Sequence, residues 1–522
     1  MPQTAKTVLF LLTLLLCGVA LASSPPKPPE VTALDDVPVV TGDWRLPPGH
    51  FIPAKMPMHL VYPRPESETA TWARHLWAYP GIEYRIPVAV QGGAYPFHFE
   101  ILSGPPGMTI GQTVWERDYG IASWTPAVGD GAHPVNILVT DQEGNQVTAS
   151  FNVSVDRNQF IFLDPAAAPG GDGSINSPLR TFDEIHRGSR DDRTFSGRIL
   201  YLRGGLHQLT GPDDSNGNFR IDSDNKPLVW LGHPGEQVTI DASQSMVVMI
   251  GGNSGDDLFV QGLEFANSRP DVSNSRFFFF GGSRGNRTTF FEIDFRNLVR
   301  GEAGNDNPGA IVRFAGSGYA DYFTVMNSSI ENYDAGMVGS IYSTRYAVVE
   351  GNTLGDAKRE KVLEGIFPKG SNTLWSIRRN DSLVQNFHQG AIDNYMAGGQ
   401  EPWMTEIAYN RINVPDRRMA FRYNWSKNNP GGDWVWVYRN TFVGDVRGLA
   451  GGNGYTAMFE NNVMLFGGSG PLPSSSDTRT IIEEGNLTGS SSEASEVLDE
   501  NLSLIGDYRD ELLGKVGYEI KP

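Results

Sequence analysis

Residues 434–442 read WVWVYRNTF. Trp and Val alternate as far as Tyr438; then come Arg439, Asn440 and, two places on, Phe442. Alternation has the period of a strand. An Asn behind a strand suits a turn, since its side chain bonds nearby backbone and it tolerates a left-handed conformation. The same order recurs in FTVMNSSI (Asn327), AVVEGNTL (Asn352), WSIRRNDSL (Asn380), TEIAYNRI (Asn410) and AMFENNVM (Asn462). From Asn327 onward the steps are 25, 28, 30, 30 and 22 residues. LFVQGLEFAN and TFFEIDFRN look like earlier, degenerate copies. A strand-like unit repeating at this interval, without helical periodicity, predicts an all-β solenoid over residues 160–522. Its coils differ in length, so inserted loops are expected on one face.

Upstream, GGDGSINSPLRTFDEI (170–185) sets a glycine run before a helix start. Thr181 and Glu184 have the spacing of a capping box, and Leu179, Phe182 and Ile185 share one face of a short helix. Such a helix would cap the open first coil of a solenoid. The GGDG run also suits a calcium loop, but it occurs once. Between 79 and 156, YRIPVAV, FHFEIL, IASWTP, VNILVTD and TASFNVSV are short strand-like runs separated by Gly- and Pro-rich turns. That spacing predicts a small β-sandwich. Residues 23–78 read as a Pro-rich linker or N-terminal segment. Residues 1–22 read as a signal peptide: Lys6, an apolar run from Val8 to Leu16, and Ala20-Leu21-Ala22 as cleavage site.

The chain has 522 residues and a formal net charge of −18, which argues against a nucleic-acid binder. Its one cysteine, Cys17, lies in the signal segment, so no disulfide or thiol chemistry is expected of the mature chain. No later stretch is apolar for about 20 residues, so no membrane span is expected. An exported monomer, extracellular or periplasmic, is the expectation. Toward the end, a Ser-rich acidic loop and one or two closing segments follow the repeats.

Coils of a solenoid can be laid over one another and read as columns. Aligning Val338, Leu363, Ile392, Phe421 and Leu449 as inward residues leaves Gly339, Glu364, Asp393, Arg422 and Ala450 outward. The next outward column holds Ile341, Ile366, Tyr395, Asn424 and Gly451 or Gly452. Glu364 and Asp393 on neighbouring coils, about 5 Å apart, would repel unless a cation, a proton or Arg422 intervenes. They suit either a neutralised surface ladder or a Ca²⁺ or acid–base site. Residues 345–439 carry 13 Lys/Arg against 10 Asp/Glu, a local basic balance in an acidic chain. That points to a groove for an anionic ligand. Trp375, Tyr395, Trp403, Tyr423, Trp425, Trp434 and Trp436 fall in or beside the same coils, and exposed ones would stack on sugar rings.

The sandwich motifs, SGPPGMTI through TASFNVSV, resemble bacterial Ig-like modules. The repeat, its cap and GRILYLRGGLHQL (197–209) resemble right-handed parallel β-helix proteins such as pectate and alginate lyases, chondroitinase B and pectin hydrolases. LEGIFPKGSNTLWSIRRN (363–380) is similar to the active-site coil of the chondroitinase B and alginate lyase family. That resemblance implies Glu364 as a Ca²⁺ ligand and Lys369 as the base. The chain departs from the family at Val362, where a second Glu stands, and it lacks the family's Arg-His-Gly run. The implied reaction is β-elimination on a uronate polymer, whose C5 proton becomes acidic once the adjacent carboxylate is neutralised. Lys369 or His388 would be the base, Arg378, Arg379 or Arg422 would hold the carboxylate, and Tyr395 would protonate the leaving oxygen. Arg379, Asn424 and Trp425 would contact substrate, with Glu364 and Asp393 as metal ligands. Two other readings are a glycoside hydrolase using Glu364/Asp393 or Asp393/Asp416, and a non-catalytic glycan-binding protein.

Overall fold

The computed structural model describes residues 44–129, 131–185, 198–209, 219–221, 228–243, 247–250, 256–267, 276–281, 286–298, 310–314, 320–333, 336–340, 344–355, 362–370, 373–382, 387–396, 403–414, 419–425, 433–449, 455–468 and 480–520. The expected signal peptide and Asp416 lie outside them.

Three stacks of parallel strands form the body. Sheet I has 12 strands, from Phe160–Leu163 to Thr480–Glu484; sheet II has 11, from Gly205–Gln208 to Leu487–Ser490; sheet III has nine, from Phe219–Ile221 to Asp445–Leu449. Each coil visits them in that order: Thr373–Arg378, then Asp381–Ser382, then Phe387–Met396, then back to sheet I at Met404–Ala408. Every strand pairs with its counterpart one coil on. Parallel crossovers of this kind run right-handed, and the solenoid is a right-handed parallel β-helix. Its interior is one apolar column that includes Val325, Val349, Ile377, Ile407, Val437 and Phe459.

The asparagine signal is the corner between sheets I and II. The Asn380 backbone N–H and Nδ2 both donate to Asn410 Oδ1, at 2.9 and 3.0 Å, while Nδ2 also donates to Val349 O at 2.9 Å. Asn352, Asn410, Asn440 and Asn462 repeat the pattern, so the ladder runs from Ser328 to Asn486. Buried amides in such a chain satisfy one another and the strand ends at once. Two positions differ from expectation. Asn327 occupies the left-handed slot before the ladder, with φ 52, and Ser328 stands in the ladder itself. The degenerate copies end in Asn267 and Asn297, which with Asn332 form a second ladder at the corner between sheets II and III.

The capping segment is short. Leu179 pairs with Leu163 through an isolated bridge, and Leu179 and Phe182 join the solenoid core. The helix spans only Phe182–Ile185. Glu184 reaches back to the Gly170 and Arg180 backbone N–H groups at 3.1 and 2.5 Å, so the glycine run is folded onto the cap.

Residues 77–155 form a sandwich of a four-stranded and a three-stranded sheet, antiparallel except for the pairing of Trp77–Ala78 with Gln146–Val155. The strand-like runs expected there are Tyr84–Pro87, Ala89–Gln91, His98–Ser103, Ile121–Trp124, Ala132–Thr140 and Gln146–Val155. Residues 44–78, within the stretch expected as a Pro-rich linker or N-terminal segment, are folded. His59–Tyr62 pairs with Ala89–Gln91, and Ile52, Met56, Leu60 and Leu76 are buried. Their apolar side chains sit among polar and Pro residues, so composition alone hides them. Among the described residues, no helix is long and apolar enough to cross a membrane.

Candidate active site

Outer residues of sheet I and of the late coils of sheet II are covered by the chain itself. Phe160, Phe162, Tyr201, Phe259 and Phe291 face outward from sheet I into one apolar cluster with the sandwich. Farther along, the same interface turns ionic. Arg378 is fully buried, with Glu350 and Glu406 at 3.6 and 3.5 Å, and its guanidinium lies 4.9 Å from the Tyr95 ring centroid. It donates to Val90 O and Gly92 O of the module. Burial works against this cation, and the Glu350 and Glu406 carboxylates hold its pKa above the ordinary arginine value. Arg379 pairs with Glu350 at 3.3 Å and lies over Tyr119 at 4.9 Å. On the late coils of sheet II, Val443, Val463, Leu465 and Leu487 are covered by the C-terminal segment through Val497, Leu504, Leu512 and Val516. Among the described residues, neither apolar interface includes one of sheet III.

The residues expected to form the site are on sheet III, and the strand registers align them. Val338, Ile366, Ile392, Phe421 and Val446 are opposite one another on successive coils and form the inner wall. One place on, Asp393 faces Arg422, and Arg422 faces Arg447. Two places farther along the strands, Lys369 faces Tyr395, Tyr395 faces Asn424, and Asn424 faces Leu449. Strand alternation sets Asp393 and Arg422 on the face opposite Ile392 and Phe421. The last row is Gly370, Met396 and Trp425.

Asp393 and Arg422 match as expected, and they form a buried ion pair in which Arg422 Nη2 donates to Asp393 Oδ2. The Asp393 side chain is 0% exposed and that of Arg422 8%. Such a pair fixes a guanidinium in place, because leaving either charge alone in a dry site is costly. Gly390 leaves room for it: a Cβ there would stand 3.2 Å from the Arg422 Cβ and 3.0 Å from Ile392 O.

The expected column slips at both ends. Glu364 is opposite Gly390, three positions from Asp393, and Val446 replaces Leu449 on the inner wall. The cause is a bend. Met337–Val338, Ala391–Ile392 and Ala420–Phe421 are consecutive core residues, so strict alternation fails there in each coil. Three positions along a strand are about 10 Å. Glu364 and Asp393 therefore do not share a register position, and Asp393 gives an oxygen to Arg422. Among the described residues no three His, Cys, Asp or Glu side chains converge as metal ligands.

His388 is seven residues from Tyr395 on the strand Phe387–Met396, at the far end from the Lys369 row. Arg378 and Arg379 lie on and just beyond a strand of sheet I, beneath the module, and have no place beside Lys369. Of the aromatic residues, Trp375, Trp403 and Tyr423 are core. Trp434 and Trp436 stack on each other at 5.5 Å on sheet I. Arg447 was not singled out in the sequence; aligning DVRGL on Val446 would have set it beside Arg422.

No protein-family model matches the chain, and no curated protein matches it. Among solved structures, a rhamnogalacturonan lyase overlaps 69% of this chain and 99% of its own, with TM-score 0.37 and 12% identity. A family 28 exopolygalacturonase of Yersinia enterocolitica overlaps 79% and 97%, with TM-score 0.27 and 9% identity. The fold assignment rests on the strand registers.

Proposed function

We propose that this is an exported carbohydrate-active protein that cleaves an acidic, uronate-containing polysaccharide by β-elimination across sheet III. The observation that carries the reading is the row Lys369, Tyr395 and Asn424 on consecutive strands, beside the row containing Asp393 and Arg422. Neighbouring strands are about 4.8 Å apart, so a base and a proton donor on adjacent strands can act on one sugar linkage.

In this reading Lys369, as the neutral amine, takes the C5 proton of the uronate. The C–H electron pair becomes the C4–C5 double bond as the C4–O bond breaks. Tyr395 gives its phenolic proton to the departing oxygen. The Arg422 guanidinium, oriented by Asp393, offsets the charge that develops on the carboxylate. Asn424 and Trp425 contact the sugar.

The test is an ultraviolet-absorbance screen of residues 23–522 against pectate, alginate, ulvan and glycosaminoglycans, with Ca²⁺ and with chelator. Wild type is expected to build an absorbing unsaturated product, and Lys369→Ala to lose at least about a hundredfold in rate. A flat wild-type trace on every polymer overturns the reading for those substrates. An unaffected Lys369→Ala moves the base elsewhere.

A further inference from the structure

Beyond the Asp393–Arg422 pair, the row continues to a residue that the proposed reaction does not use. Arg447 is opposite Arg422, one coil farther on. The charges in this stretch are layered by depth. Asp393 is 0% exposed, Asp445 1% and Arg422 8%, whereas the Arg447 side chain is 45% exposed. Asp445 Oδ2 lies 3.8 Å from Arg447 Nη2 and anchors it from below. A chain lying on this face thus meets a guanidinium, with the carboxylates beneath it. The planar fork of a guanidinium matches a carboxylate in a two-bond geometry.

Distance decides which sugar it would serve. Lys369, Tyr395, Asn424 and Arg447 are on four consecutive strands of sheet III. Three strand spacings separate the first from the last, about 14 Å. Arg447 is one strand farther from Lys369 than Arg422 is, so the carboxylate it meets belongs to a unit beyond the one held at Arg422.

We infer that Arg447 is a remote subsite that holds the carboxylate of an acidic sugar unit beyond the one held at Arg422. It sets a preference for long acidic chains over short ones. The inference rests on the reading of sheet III as a polysaccharide face. Binding energy from a remote unit that is equal in the bound and transition states acts on KM rather than kcat.

The experiment uses full-length wild type, Arg447→Gln and Arg447→Lys. The probes are pectate and alginate, each as polymer, as disaccharide to trisaccharide fragments, and as carboxyl-reduced neutral polymer. Binding is read by titration calorimetry, and KM and kcat on any polymer that is cleaved. Arg447→Gln is expected to weaken binding of the acidic polymer about tenfold. Binding of the short fragments and of the neutral polymer should stay within about twofold of wild type, and Arg447→Lys should fall between. Equal losses on acidic and neutral polymers, no loss at all, or wild type that prefers neither acidic polymer over its neutral form overturns the subsite. Arg447-dependent binding without unsaturated product overturns the eliminase and leaves the subsite standing. Product formation with an unchanged KM in Arg447→Gln does the reverse.

Discussion

His75 is fully buried, with its ring edge-on to Tyr62 at 5.5 Å and Phe151 at 5.2 Å. Burial, and then the neighbouring Arg74, push its pKa down to about 3 from 6.5. The folded protein therefore keeps this ring neutral, while the unfolded chain takes up a proton below pH 6.5. Its contribution is present above 6.5 and is lost as pH falls toward 3. Between pH 7 and pH 5 that is about 2 kcal/mol. Urea unfolding should show this decline, and His75→Phe should show a shallower one; identical slopes would assign the acid sensitivity to other groups. Single residues were also where the sequence was most readable. Asn352, Asn380, Asn410, Asn440 and Asn462 stand where their pattern set them. Asn486 does not stand out because its strand, TIIEEGNL, has Glu483 where the earlier copies have an apolar residue.

At the scale of the strand, the sequence was readable up to the bend. Asp393 and Arg422 align because Ile392 and Phe421 follow the bend in both coils. Glu364 does not, because the count began before the bend, at Leu363. Periodicity shows which residues alternate, but not where a strand turns a corner with two core residues in succession. The Asp393–Arg422 pair makes a prediction that separates stability from function. Asp393→Ala leaves a buried guanidinium without its carboxylate and should cost about 3 kcal/mol in unfolding free energy. Replacing both partners, Asp393→Leu with Arg422→Met, should recover most of that loss while activity stays absent. A double variant no more stable than Asp393→Ala would show that the pair is bound into a larger network.

Across the whole molecule, the sandwich is a cover for the solenoid. Its strands were legible from their turns, but its docking was not. Nothing local in the sequence says that Glu350, Arg378 and Glu406 meet beneath Val90 and Gly92. Removing it should expose Phe160, Phe162, Tyr201, Phe259 and Phe291 together with a charged cluster built to be dry. Residues 157–522 expressed alone are expected to aggregate or bind a hydrophobic dye. A soluble, cooperatively unfolding fragment would show that the sandwich is dispensable to the fold. The asparagine ladder has another bearing. Its members are 22 to 30 residues apart, yet each makes the same bonds at nearly the same distances. The rise per coil is therefore independent of the length of chain spent on it. A lineage of such proteins can lengthen or trim the segments between the strands without disturbing the stack that carries them.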